Sequence, residues 1–316
     1  MSLRPLSLRF ALLAAALVLA SGSANAQAPL PVVHIGSTLA DDTVPIAYGI
    51  RAGLFQRAGI DLQLIPATSG AAVTEAVLSG AYEFGKSSLV AIMNAHLRGL
   101  PVIIVAADAV NTPKTPYGEL CVAMDSTIGS GKDFAGKTVA VPSLNDLNQI
   151  GISSWIDQHG GDSSTVKFVE IPNNAASVAV AEHRVDAAGI QQPALADAIQ
   201  THKVKAIGNT YNAISNDFYI TVFFTSTDYA AKHPDVVKAF ARAVSASAAY
   251  QNSHHTETAP IAAELTKIPL DVVLQMPRVQ IGTMLKTSEI QPMIDAAVKY
   301  KMIPRSFPAK DLIYSP

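Results

Sequence analysis

Short apolar runs alternate with segments of helical spacing along this chain, and that alternation removes most folds from consideration. Val32–Ser37, Ile60–Ile65, Ala81–Phe84 and Pro101–Ala107 read as strands, while Pro45–Gly53, Ala71–Leu78 and Ser88–Arg98 read as helices, the last stopped by Gly99. After Cys121 the plan restarts, with strands expected over Lys137–Val141, Val166–Ile171, Ala187–Ile190, Val204–Ile207 and Tyr219–Thr225. Helices are expected between them over Leu147–Gln158, Ala175–Glu182 and Ala194–Thr201. Fully apolar strands joined by helices through short loops predict mostly parallel sheets covered by helices, an α/β architecture. From Asp228 onward the pattern is mostly helical, with Pro234 at a helix start and Val237, Phe240, Ala241, Val244 and Ala248 at helical spacing.

A faint repeat supports two similar halves. Ala72–Glu83 precedes the comparable Ala175–Asp186 by 103 positions, each a small-residue helix leading through a turn to an acid. Two crossings of the chain, near Glu119–Met124 and Tyr219–Phe224, would leave a hinge and a cleft between the halves. The boundaries expected are 27–119 with 225–316 for lobe one and 120–224 for lobe two.

The first residues have a different purpose. Arg4 and Arg9 precede an unbroken apolar run over Phe10–Ala20, and small residues end at Ala24-Asn25-Ala26. That order is a secretory signal over 1–26, cleaved after Ala26; the apolar run is short of the ~20 residues a bilayer span requires. Cleavage leaves 290 residues with 21 basic and 25 acidic side chains. Such a balance has no basic excess for neutralising phosphates, which argues against a nucleic-acid partner. A single cysteine, Cys121, excludes an internal disulfide and reads as a small buried hydrophobe. No cysteine follows the signal to take a lipid, so a periplasmic chain that is not a lipoprotein is expected.

In open α/β sheets ligands bind beyond the carboxyl ends of the strands, against helix N-termini. Those loops are rich here in small polar residues: Asp41-Asp42-Thr43, Ser69-Gly70, Gly85-Lys86-Ser87-Ser88, Ser143-Leu144-Asn145 and Gln191-Gln192-Pro193. Each loop alone is explained by helix capping; their convergence on one edge would instead suit an anionic head group. Two readings of Lys86 compete, a solvated surface lysine and a counter-charge to the ligand. Asp41 and Asp42 either cap the following helix or accept an ammonium. Tyr48, Tyr117, Trp155, Tyr211 and Tyr219 are candidates to stack on a ligand; Trp155 reads as core, and Tyr219, at the start of a crossing strand, as the better cleft residue.

The order of these motifs resembles the periplasmic substrate-binding proteins of ABC importers in the nitrate, sulfonate and taurine group, which has thiamine-pyrimidine-binding relatives. The resemblance runs through Tyr48-Gly49-Ile50-Arg51-Ala52-Gly53-Leu54-Phe55, Leu78-Ser79-Gly80-Ala81-Tyr82-Glu83-Phe84, Asp133–Val141 and Arg184–Ala187 before Gln191-Gln192-Pro193. It implies two α/β lobes closing on a small solute, with crossover hinge strands and C-terminal helices packed on lobe one. Its binding residues would be Asp41, Thr43, Ser69, Gly70, Ser87, Ser88, Ser143, Asn145, Gln192 and Tyr219. Gln192 stands where the group carries an acid before proline.

The function this implies is capture of a small anionic or zwitterionic solute and its delivery to an inner-membrane permease with its ATPase, by a monomer, without chemistry, cofactor or metal. The alternative is a pyrimidine-precursor binding or synthesising protein of the thiamine pathway, which would use a histidine and iron. Against it, the cysteine-rich motif of those enzymes is missing, and adjacent residues such as His254-His255 point apart.

Overall fold

A computed structural model describes residues 29–114 and 117–315; the signal expected over 1–26 lies outside the described residues. In the first half, β1 (Val32–Ser37), β2 (Asp61–Pro66), β3 (Phe84–Ser88) and β4 (Val102–Ala107) are separated by helices that include Val44–Arg51, Gly70–Leu78 and Leu89–Leu97. β5 (Ala109–Asn111) then leads to β6 (Gly118–Ala123), β7 (Thr138–Val141), β8 (Lys167–Glu170), β9 (Ala187–Gln191) and β10 (Val204–Gly208). The chain returns through β11 (Phe218–Tyr219) to β12 (Thr221–Ser226), and β13 (Gln280–Ile281) follows late in a largely helical C-terminal region.

These strands form two five-stranded sheets, ordered β2-β1-β3-β12-β4 and β10-β6-β9-β7-β8, and a small third sheet, β11-β5-β13. β1 is parallel to β2 and β3, and β7 is parallel to β8 and β9. One strand in each large sheet runs against its neighbours, β12 in the first and β6 in the second. Each is the first strand after a crossing, so it enters its new sheet from the edge where the others end. The α/β class with mixed, mainly parallel sheets follows.

The crossings fall elsewhere than the sequence suggested. Glu119–Met124 lies almost wholly in β6, paired on both sides inside the second sheet, and Thr221–Phe224 belongs to the first sheet in β12. The connecting strands are β5 and β11, paired antiparallel through Phe218 with Asn111 and Tyr219 with Val110, with β13 on the other side of β5. By sheet membership, therefore, 118–208 belongs to the second half, and residues 221–224 move to the first. Their apolar runs made β6 and β12 look like connectors because nothing in an isolated sequence separates a buried central strand from a crossing one.

A second shift concerns β3. Ala81–Phe84 was expected as the strand, yet β3 begins where that run ends. The helix Gly70–Leu78 terminates on Gly80 at φ 79°, and the N–H groups of Ala81 and Tyr82 both return to the Ala76 carbonyl, which absorbs these residues into the turn. The polar Gly85-Lys86-Ser87-Ser88 segment is consequently strand rather than loop.

The C-terminal helix Pro234–Ser253 covers the first sheet. Its Phe240 is fully buried, stacks on Phe84 with ring centroids 4.0 Å apart, and also meets Phe55 and Phe223. In the second half Trp155 is core, as its helical position suggested: it packs edge-on against Phe134, and Gly208 leaves room for its indole. Among the described residues no helix is long and apolar enough to cross a membrane.

Candidate functional site

At the carboxyl edge of the first sheet, charges have been drawn into the protein. Lys86, 2% exposed on β3, forms an ion pair with Asp42 and donates to Thr43 Oγ1 at 2.9 Å. Thr43 Oγ1 also donates to the Thr38 carbonyl at 2.8 Å and lies 3.1 Å from Ser37 Oγ. Thr221 Oγ1, on the first residue of β12, lies 3.1 Å from Asp42 Oδ2 and 2.8 Å from Asp108 Oδ2. Burial, then the Asp42 carboxylate, hold the Asp108 carboxyl well above its ordinary value. Lys86 is thus no solvated surface lysine, and Asp42 spends its carboxylate on an ion pair rather than a cap.

Asp41 does not cap the next turn either. Its Oδ1 accepts from Arg278 Nε at 2.6 Å and its Oδ2 from the Val279 N–H at 3.0 Å. Burial nevertheless raises the Asp41 carboxyl above its usual range, against the lowering effect of Arg278. Arg278, 4% exposed, extends Nη1 to the His255 carbonyl at 3.3 Å, and its Nη2 has no partner. Burial and this guanidinium together depress the His255 imidazole.

From the second sheet, the end of β9 is fixed by a chain of amides. Asn173 brackets the Gln191 backbone, accepting its N–H at 2.9 Å and donating to its carbonyl at 3.0 Å. The Gln191 side chain donates to Tyr211 Oη at 2.7 Å, and Tyr211 Oη donates to Asn148 Oδ1 at 3.0 Å. This leaves Gln192, ahead of a cis Pro193, donating its N–H to the Tyr117 carbonyl at 2.9 Å, with its own Oε1 unpartnered.

These parts meet around a cavity of about 240 Å³. Leu39–Asp41 line it from the first sheet's edge, Tyr117 and Gln192-Pro193 from the second's, and residues between Thr266 and Val279 from the C-terminal region. The hydroxyl of Tyr117 is pushed up by burial and by the nearby Asp42, Asp41 and Asp108 carboxylates, so it stays a neutral donor.

Of the ten residues expected to bind, Asp41 and Gln192 share this wall. Thr43 stands behind Asp41 in the Lys86 network. Gly70 and Ser87 approach each other, a Cβ on Gly70 lying 2.5 Å from Ser87 Oγ, which is buried and unpartnered. Ser69 and Ser88 cap helices, accepting the Ala72 and Ala91 N–H groups at 3.2 Å. Ser143 and Asn145 are exposed. Tyr219 is buried, its hydroxyl donating to the Met284 carbonyl at 2.6 Å and accepting the Lys286 N–H at 3.1 Å, so it pins the C-terminal segment. Tyr48 likewise stacks on Tyr250 rather than on the cavity. Sequence reasoning missed Arg278 and Asp108. Each had a signal: Arg278 is the lone charge in Met276–Ile281, and Asp108 the lone acid after the apolar run of β4.

Two α/β halves joined by paired crossing strands, with a small hollow where their strand ends meet, define the two-lobed binding-protein fold. The chain belongs to the family described as NMT1/THI5 like, whose model matches residues 40–258. It is 24% identical over 165 residues, 48% of this chain and 46% of the relative, to a Brachyspira hyodysenteriae protein described as an ABC transporter periplasmic binding protein. It is 22% identical over 215 residues, 64% of this chain and 59% of the relative, to the 4-amino-5-hydroxymethyl-2-methylpyrimidine phosphate synthase of Schizosaccharomyces pombe. The chain thus spans about half the length of the curated relatives it matches. Among solved structures, the periplasmic aliphatic sulphonate binding protein SsuA of Escherichia coli shares the fold with a TM-score of 0.75 at 16% identity, over 91% of this chain and 93% of that one.

Proposed function

We propose that this chain is the extracytoplasmic solute-binding component of an ABC importer, taking a small anionic or zwitterionic solute and presenting it to an inner-membrane permease and its ATPase. The observation that carries this reading is the shared wall: Asp41 and Gln192, on the edges of different sheets, face one cavity together with Arg278. A hollow built from two halves joined by short strands suits capture by closure. The charged groups at its wall are committed to each other rather than poised to attack, as Arg278 and Asp41 show. The matched Brachyspira relative and the SsuA fold support the same reading.

Export of the full chain with a cleaved signal, and action as a monomer, form part of this proposal. The pyrimidine synthase relative favours a second reading, an enzyme of that pathway. Titration of the purified exported chain with taurine, alkanesulfonates, nitrate, aromatic acids and pyrimidines separates the two. A binding protein gains thermal stability by mass action with one of these and returns it unchanged; micromolar affinity corresponds to about −8 kcal/mol. Consumption of the bound compound, followed by mass spectrometry, would defeat the binding reading.

A further inference from the structure

Outside the cavity the two halves touch again, through the C-terminal tail. The tail is fixed to the first half at three places. Phe307 packs on His96 with ring centroids 4.8 Å apart, and the Tyr314 N–H donates to the Ile104 carbonyl of β4 at 2.9 Å. The helix Gln291–Lys299 lies on the helix Leu89–Leu97, which joins β3 to β4. That same tail helix also packs on Leu147–Gln158, which joins β7 to β8 in the second half. Its Met293, Ile294 and Ala297 share one buried cluster with Leu147 and Ile150.

Asp157 completes this contact. Its Oδ1 accepts the Ser163 N–H at 2.9 Å, within the second half. Its Oδ2 accepts the Tyr300 hydroxyl at 3.0 Å and lies 3.5 Å from Lys299 Nζ, both on the tail. One carboxylate thus holds a group from each half. Burial alone would raise this carboxyl, but the Ser163 and Tyr300 hydrogen bonds and the Lys299 charge hold it below its ordinary value. It is therefore a charged acceptor at neutral pH, the stronger kind of hydrogen-bond partner. Asp157 stands eleven residues beyond Asp146, which caps the same helix at the carboxyl edge of the second sheet. A rise of 1.5 Å per residue puts it about 16 Å from that edge, and neither Asp157 nor Tyr300 lines the cavity.

We propose that Asp157 is a positioning residue: it clasps the halves in the orientation in which Tyr117 and Gln192 of one share a cavity wall with Asp41 of the other. This rests on the binding-protein reading above, in which the halves move against each other, and names what opposes that movement. The chain passes between the halves through β5 and β11, and two short strands leave a swing free. A packed helix face and a charged hydrogen bond across the joint favour discrete arrangements over a continuous range.

Double electron–electron resonance on residues 27–316, with nitroxides at Thr68→Cys and Ser143→Cys, tests this. Both sites are exposed, in the loops after β2 and β7, and the native Cys121 is buried. Without added solute the parent should give one dominant distance. Tyr300→Phe and Asp157→Ala should each raise the ratio of a second distance to the first about three- to tenfold, the range for a half-exposed hydrogen bond to a charge. Combined, they should add little to either alone, because both cut the same link. Lys286→Gln breaks another ion pair of the tail, with Glu289, that does not reach the second half, and should leave the ratio unchanged. A merely structural Asp157 would lower stability in urea without moving the ratio. Unchanged ratios in both variants, additive effects, or an equal shift from Lys286→Gln would overturn the proposal. No solute enters this measurement, so its failure leaves the binding-protein reading standing. Conversion of a compound in the titration above would defeat that reading and leave the clasp in place.

Discussion

Replacing Lys86 by Met removes the positive charge from the buried cluster at the first sheet's edge and keeps most of the side chain's volume. In the native protein Lys86 is 2% exposed, paired with Asp42 and bonded to Thr43 at 2.9 Å. Asp42, 3% exposed, would be left with Thr221 as its remaining side-chain partner, near the fully buried Asp108. Breaking one side of a buried ion pair costs about 3–5 kcal/mol, because the orphaned charge stays out of water. A solvent-exposed pair would cost ~1 kcal/mol or less. Urea unfolding of residues 27–316 at pH 7, analysed by linear extrapolation, reads the difference. Adding Asp42→Asn to Lys86→Met should recover most of the loss, since the orphaned charge is then gone. A single-variant loss under ~1 kcal/mol, or a double variant no better than the single, would refute the claim that this cluster is a desolvated ion network.

The same cluster sets a pH dependence. Asp108 has a carboxyl raised above its ordinary 3.8, so between 3.8 and its raised native value the folded protein binds more protons than the unfolded chain. Stability from this group is complete below 3.8 and falls as pH rises through the native value; Asp108→Asn should flatten that decline in urea unfolding measured from pH 4 upward. Phe240→Ala empties the site between Phe84, Phe55 and Phe223, and should cost about 3–5 kcal/mol in the same assay. Gly208→Ala places a Cβ 2.1 Å from Trp155 Nε1, so the indole must move; the fluorescence of this single tryptophan should shift and stability fall by about 1–3 kcal/mol. Cys121 is buried and its thiol is pushed up to about 12, so alkylation at pH 8 should proceed only at the rate of unfolding.

Much of the fold was legible because its signals are local. Gly99 and the helix-spaced apolar positions of Pro234–Ser253 act within one or two turns, and the structure places those elements within a few residues of expectation. Pairing is non-local, which is why β6 and β12 could be recognised as strands without revealing which sheet they join. The site divides the same way. Asp41 and Gln192 stood at strand ends where ligand loops belong, and they share the cavity wall. Ser69 and Ser88 carried the same composition, but their hydroxyls are engaged at helix starts, as capping alone would predict. Lys86 looked like a surface residue because its partner is 44 positions away, and Arg278 is 237 positions from Asp41. Ion pairs of that separation leave no periodic trace in a sequence.

The strip formed by β5, β11 and β13 has a bearing on how the hollow would open. Asp41 and Arg278 are locked together on the portion that includes the first sheet, whereas Tyr117 and Gln192 ride with the second. A swing about that narrow strip would therefore carry away one jaw, the aromatic ring and the amide, and leave the salt link seated on the other. An arriving molecule would meet the stationary jaw first and be enclosed by the travelling one.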